Sequence, residues 1–334
     1  MDVKQTQTVE LPELLTVSPS PHARRHVSTA SVMIDVLIAL VPATIWGIYM
    51  FGFRAALVVL LATVSAVFFE FLTQALRHKT VTIADCSAAV TGLLLGLNLS
   101  PAVPFYVPVV GSAFAIVVVK QIFGGIGKNI MNPALAARVF LMMAWAGEMS
   151  VFPAAYDRVG LGVDAVASAT PLVALKGGEI GVSLMDLFLG RVGGSIGEIS
   201  VLMLLIGGVY LLIRRVITWH IPVAFLGTVA LLTFLFPVGD ASRLDFMVAS
   251  LCSGGLMLGA FFMATDYVTS PVTSVGRLIY GVGCGALVVF LRYFSGYNEG
   301  VSFAILIMNA FVWYLDMATK PRVFGKKRFE KKKP

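Results

Sequence analysis

Apolar runs of about 18 or more residues recur along this 334-residue chain, and they limit its fold more than any other feature. Each is long enough to cross a hydrocarbon core of about 30 Å. Inside lipid every backbone N–H and C=O must be bonded within the structure, so the runs are read as helices. With 58% hydrophobic and only 13% charged residues, the chain lies far from soluble composition. The expected fold class is an all-α polytopic membrane protein with about ten transmembrane helices, near 31–51, 55–76, 84–100, 104–123, 132–147, 198–214, 219–237, 245–265, 274–293 and 300–318. Pro101, Pro104, Pro237 and Pro271 punctuate the connections, as helix breakers should. The first 28 residues are polar and contain no apolar core of a secretory signal, so the run from Ser31 reads as a retained span.

Basic residues orient the chain. Placing the N-terminus in the cytoplasm puts 18 of the 25 Lys and Arg residues inside and six outside, with Arg138 within a span. Eight of them fall between Lys320 and Lys333, in a tail suited to anionic lipid rather than nucleic acid, so the bilayer is the expected partner and nucleic acid is not. Both termini are then cytoplasmic, in the inner membrane of a bacterium, and the loop 148–197 is extracytoplasmic. Five spans on each side of that loop would give halves of inverted topology. Gly92-Leu93-Leu94-Leu95-Gly96 echoes Gly255-Leu256-Met257-Leu258-Gly259, and Lys128-Asn129 echoes Tyr297-Asn298. A 5+5 inverted repeat follows, in the manner of many transporters. The expected organisation is 1–30 as a cytoplasmic segment, 31–147 as the first five-helix repeat, 148–197 as the outer loop, 198–318 as the second repeat and 319–334 as a basic cytoplasmic tail.

Cofactor chemistry is narrowed by what the chain lacks. Cys86, Cys252 and Cys284 are far apart and form no C-x-x-C, so no metal centre is expected. The four histidines stand at the ends of segments, which disfavours a haem held between spans. Four candidate sites remain. In Asp164-Ala165-Val166-Ala167-Ser168-Ala169-Thr170 a threonine hydroxyl has only small neighbours, and the acid six positions earlier gives a modifying enzyme a charge to read; the plain alternative is a surface turn. The glycines of 189–198 offer a backbone concavity for phosphate, or simply a flexible lead into the next span capped by Ser195 and Glu198. Asp35, Glu70, Asp85, Asn98, Lys120, Arg138 and Asn309 are polar groups in spans. Several can be satisfied by snorkelling or by pairing with Arg77 or Lys79. Residues 124–133 and 265–273 could be re-entrant turns offering amides to a ligand, with Asn132 and Asp266 equally readable as helix caps.

Six segments, in order along one chain, carry a family resemblance: Gly-Lys-Asn-Ile-Met-Asn-Pro-Ala (127–134), Asp-Ala-Val-Ala-Ser-Ala-Thr (164–170), Gly-Gly-Ser-Ile-Gly-Glu (193–198), Phe-Met-Ala-Thr-Asp with Thr-Ser-Pro (262–271), Glu-Gly-Val-Ser-Phe-Ala-Ile-Leu (299–306) and Pro-Arg-Val-Phe-Gly (321–325). Together they resemble the NqrB/RnfD family, membrane subunits of ion-translocating redox complexes, and the RnfD branch more than the NqrB branch. The resemblance implies FMN attached through its phosphate to the Thr170 hydroxyl by a flavin transferase, with Asp164, Ser168 and Ala169 in the attachment motif. Ala167 and Ser168 depart from the usual Ser/Thr and Gly there. It also admits a second, non-covalent flavin such as riboflavin, with Asn129 and Asn132 as candidates. The implied role is a subunit of a translocase-type oxidoreductase, not catalytic alone, relaying electrons between ferredoxin and NAD with Na⁺ or H⁺ transport. Implied partners are the other subunits, including a second covalent flavoprotein and iron–sulfur subunits. The alternatives are an NqrB-like subunit of a Na⁺-pumping NADH:quinone reductase, a channel or permease of inverted-repeat architecture, and a scaffold that docks a partner through its long loop.

Overall fold

The computed structural model describes residues 28–156, 170–296 and 299–321. These are arranged as helices: α1 (Thr29–Phe51), α2 (Phe53–Leu76), α3 (Ser87–Leu97), α4 (Tyr106–Ala113, continued by a π-helical stretch Phe114–Gln121), α5 (Pro133–Ala144), α6 (Ala146–Met149), α7 (Pro171–Lys176), α8 (Leu184–Leu189), α9 (Val201–Ile213), α10 (His220–Leu235), α11 (Arg243–Cys252), α12 (Leu256–Leu258, continued by a π-helical stretch Gly259–Met263), α13 (Ser274–Phe294) and α14 (Val301–Thr319).

The bundle is more apolar outside than soluble proteins allow. On α1, Ile34, Ile38, Val41 and Ile45 form an exposed stripe, whereas Asp35, Ala39, Ala43 and Gly47 face inward. Such a helix is solvated by lipid, and the inner face is small because close approach, rather than hydrophobicity, holds membrane helices together. A Cβ on Gly92 of α3 would lie 2.6 Å from the Ala62 carbonyl oxygen of α2. A Cβ on Gly285 of α13 would lie 2.7 Å from Thr228 Cβ of α10. Among the described residues four helices, α1, α2, α13 and α14, are long and apolar enough to span, and a fifth span results if α11 and α12 are joined across their 64° bend. The chain is a multi-pass membrane protein.

Every expected span coincides with a helix, yet α3, α5 and α9 have only 11, 12 and 13 residues. At 1.5 Å per residue these reach roughly 16–20 Å, short of the core. Irregular backbone flanks them, and it is lined by protein. Asn98 ends α3, and the following carbonyls of Pro101, Ala102 and Val103 accept from the Arg54 guanidinium at 2.9, 3.0 and 3.2 Å. At the bend between α11 and α12, the carbonyls of Ser250 and Ser253 accept from Arg292 at 2.7 and 2.8 Å. Both arginines are buried, whereas the charge count counts them among the outside residues.

The polar residues inside spans find partners within the bundle, though not the expected ones, and Glu70 Oε2 and Arg138 Nε have none among the described residues. Lys120 pairs with Glu70 at 2.7 Å and donates to Ser87 Oγ at 2.6 Å, so it neither snorkels nor leaves Glu70 to Arg77. Arg77 instead donates to the Gln121 carbonyl at 2.6 Å. Asp35 accepts from Tyr210 at 3.0 Å and pairs with Arg214 at 3.2 Å. Asp85 accepts from the Ser87 backbone and hydroxyl at 2.8 and 2.6 Å, and the Asn309 amide meets the Tyr280 hydroxyl at 2.7 Å.

Candidate functional site

Two clefts stand at opposite ends of the bundle, and they take in Thr170, Glu198, Lys120, Asn129, Asn132 and Asp266 from the segments singled out in the sequence. The first is built around Thr170. Pro171 follows it with a fixed φ suited to a first helical turn, and Thr170 is the extended N-cap of α7. Its side chain makes no capping bond and is partly exposed. Thr170 lines a cleft of about 350 Å³ with Gly193, Gly194, Glu198, Cys252, Gly254 and Glu299. Asp164, Ser168 and Ala169 lie outside the described residues.

The segment 190–200 forms the inner wall of this cleft. Gly190 ends α8 at φ 88°, and a Cβ there would lie 2.7 Å from Ser200 Cα, so the chain can turn tightly against itself. Ile196 and Gly197 donate their N–H groups to the carbonyls of Leu99 and Leu97 at 3.0 and 2.8 Å, which pins the segment to the end of α3. The expected capping by Ser195 and Glu198 is not what occurs. Ser200 caps α9, accepting from the Met203 N–H at 3.4 Å, while Ser195 Oγ is buried with no partner among the described residues.

Glu198 turns instead to Arg138. The Arg138 guanidinium, on α5, pairs with Glu198 at 2.6 Å, with Glu299 at the entrance to α14, and donates to the Asn98 side chain. The side chains of Arg138 and Glu198 are 4% and 3% exposed, and that of Glu299 15%, so the cluster sits in low dielectric with only its cleft side open. Arg292 borders it: its terminal nitrogen is 3.5 Å from where a Gly254 Cβ would stand. Arg138 Nε and Arg292 Nε have no partner among the described residues. Sequence reasoning passed over Glu299 and, although it placed Glu198 in the candidate segment 189–198, gave that residue only a capping role. The available signal was Arg138: a guanidinium inside a span demands carboxylate partners, and few acids stand near span ends.

The second cleft, of about 740 Å³, opens among α1, α3, α5, α9 and α12 and is lined by Asn129, Asn132, Lys120, Asp266 and Tyr267 with apolar side chains from Val32 to Phe262. It brings together the glycine- and asparagine-bearing stretch 124–133 and the stretch 265–273. Asn132 caps α5, accepting from the N–H groups of Ala134 and Leu135 at 3.0 and 3.3 Å and donating to the Met263 carbonyl at 3.3 Å. Its amide is thus committed to structure. Asn129 Oδ1 is buried without a partner among the described residues, an acceptor left for whatever fills the cleft. Burial pushes the Asp266 carboxyl upward, against bonds from Val268 N–H and Thr269.

The chain is similar to known proteins over nearly its whole length. The chain is 47% identical to the D subunit of the Na⁺-translocating ferredoxin:NAD⁺ oxidoreductase complex of Acetobacterium woodii over 321 residues, 95% of this chain and 97% of that protein. It is 41% identical to the D subunit of the proton-translocating ferredoxin:NAD⁺ oxidoreductase complex of Clostridium ljungdahlii, over 94% of this chain and 97% of that one. Against the D subunit of the ion-translocating oxidoreductase complex of Escherichia coli K12 the identity is 35%, over 93% and 99%. The sequence profile of one family spans residues 16–325, taking in the Thr170 cleft, the Arg138 cluster and the asparagine-lined cleft alike, and on that match the chain belongs to the NQR2, RnfD, RnfE family.

Proposed function

We propose that this chain is the RnfD-type member of an Rnf-type ion-translocating ferredoxin:NAD oxidoreductase complex, and that it carries FMN as a phosphoester of Thr170. The observation that carries the attachment is the position of Thr170. Its hydroxyl stands partly exposed in a cleft lined by Gly193, Gly194 and Gly254 and by Glu198 and Glu299, the two acids being paired with Arg138. Buried valences on Ser195, Arg138 and Arg292 have no partner among the described residues. The flavin, when bound, supplies electron transfer. The chain's part is to anchor the phosphate at Thr170, to exclude water with Leu172, Leu187 and Ile199, and to set the local field through the Arg138 cluster.

The second cleft is proposed to take a non-covalent flavin such as riboflavin, with Asn129 Oδ1 as acceptor for a ring N–H and Asn132 fixing the wall it stands beside. The proposed topology is ten spans in a 5+5 inverted repeat with both termini cytoplasmic and Thr170 outside. The packing supports it: α2 lies on α3 and α4 as α10 lies on α11 and α13, and α1 crosses α9. The names of the relatives support a multi-subunit complex; the proposal places it in the cytoplasmic membrane, with iron–sulfur subunits and a second flavoprotein as electron-exchange partners. A flavin transferase is needed for maturation.

The test is ultraviolet illumination of a denaturing gel after co-expression with a matching flavin transferase. Wild type is expected to give a fluorescent band at the chain's mass and Thr170→Ala none. A dark wild type shown to have met active transferase overturns the attachment.

A further inference from the structure

Glu198 and Glu299 reach the floor of the Thr170 cleft from the connections into α9 and α14, outside the helices. Both pair with the one Arg138 guanidinium. Two buried carboxylates crowded on one guanidinium repel each other in low dielectric, which favours a proton on one of them. The other groups facing the pair are few. Arg138 comes from α5, Arg292 from α13 with Tyr293 beside it, and the neutral Asn98 from the end of α3. Burial pushes Glu198 upward and the Glu299 charge adds to this, while Arg138 opposes them.

We infer that Glu198 and Glu299 form a proton-exchanging pair that follows the charge of the group carried at Thr170. With one proton shared, the cluster holds two guanidiniums against one carboxylate, a net positive charge directed at the cleft. With that proton lost, the cluster is neutral. Above the pH of that loss, an electron delivered from a reduced flavin or iron–sulfur partner draws one proton from the adjacent water, and its departure releases it. The step moves one electron onto the carried group and one proton onto a carboxyl oxygen: one O–H bond of water breaks, leaving hydroxide to the bulk, as one carboxyl O–H bond forms, and oxidation reverses both. The coupling to Thr170 rests on the attachment proposed above; the shared proton does not.

The test therefore has two arms. Full-length Thr170→Ala protein in lipid nanodiscs, which carries no covalent group, is titrated by infrared difference spectroscopy. A carbonyl stretch of a protonated carboxyl is expected to persist through neutral pH and to vanish in both Glu198→Gln and Glu299→Gln made in that protein. Its absence at neutral pH before either change, or its survival in both variants, overturns the pair. In the second arm, the potential of the covalent group in the assembled complex is measured against pH. Wild type is expected to show a step of slope up to about 59 mV for each tenfold change in proton concentration, the one-electron conversion. Glu198→Gln should remove that contribution while leaving the fluorescent band intact. An unchanged profile in Glu198→Gln overturns the coupling, whereas a missing band in wild type overturns the attachment and leaves the infrared result standing. Unfolding of one variant is recognised by its solubility, and the other then decides.

Discussion

Replacing Lys120 by methionine isolates the energetics of the buried ion pair at the second cleft. Lys120 Nζ lies 2.7 Å from Glu70 Oε1, and the two side chains are 2% and 1% exposed. At an effective dielectric of about 20 the attraction is about 6 kcal/mol. Taking both ions out of water costs several kcal/mol each, so the intact pair contributes little net stability. The single substitution is a different matter. It leaves a carboxylate held only by Gln121 Nε2 at 2.9 Å and Gln74 Nε2 at 3.4 Å, with Glu70 Oε2 already lacking a partner among the described residues. Lys120→Met is therefore expected to destabilise by about 3–5 kcal/mol, the usual cost of orphaning a buried charge. Adding Glu70→Gln removes the orphan and keeps the acceptor for Gln121, so the double variant should recover most of the loss. The assay is a double-mutant cycle on purified protein in detergent, read by tryptophan fluorescence during denaturant unfolding. A single variant within about 1 kcal/mol of wild type, or a double variant as unstable as the sum of the singles, would refute the reasoning.

Other expectations follow from the packing. Gly92→Leu should push α3 off α2 and lower stability by more than about 2 kcal/mol, seen as a reduced yield of folded protein, because its Cβ position is 2.6 Å from the Ala62 carbonyl. Asn132→Ala should cost about 1 kcal/mol from the lost cap of α5 and somewhat more from the bond to Met263, read in the same unfolding assay. Gly255→Ala places a methyl group 2.6 Å from Glu198 Oε1, so it should displace that carboxyl and alter the potential at Thr170 while attachment persists. Maleimide should label Cys86, which is partly exposed, well before Cys252 or Cys284, which are buried; equal rates would contradict the described packing.

The helices were legible in the sequence and their interruptions were not. Hydropathy over 245–265 reads as one span because the average passes over Ser253-Gly254-Gly255, where the chain bends by 64°. The expected span 84–100 likewise covers α3, whose helix ends at Leu97 because Arg54 takes the carbonyls beyond it. Of the local capping readings, the one for Asn132 holds and the one for Ser195 and Glu198 does not. Asn132 before Pro133 is a cap by sequence and by structure. The Arg138 cluster escaped because its partners are 60 and 161 residues away, and no periodicity links them. Glu198 looked like part of a cap for the same reason: its neighbours in sequence suggested one role and its neighbours in space gave it another.

The arginine clamps also bear on how such a chain enters the membrane. Arg292 is synthesised 42 and 39 residues after the carbonyls of Ser250 and Ser253 that accept from it, so its acceptors already exist when it arrives. Arg54 is the reverse case, since Pro101 follows it by 47 residues. At ordinary translation rates that interval is about 2–9 s. During it, the guanidinium must wait near the lipid–water boundary with its stem along the hydrocarbon. The hairpin of α1 and α2 is therefore expected to settle only once α3 and its trailing carbonyls arrive, so that residues 29–103, rather than the first helix alone, would act as the first unit of biogenesis.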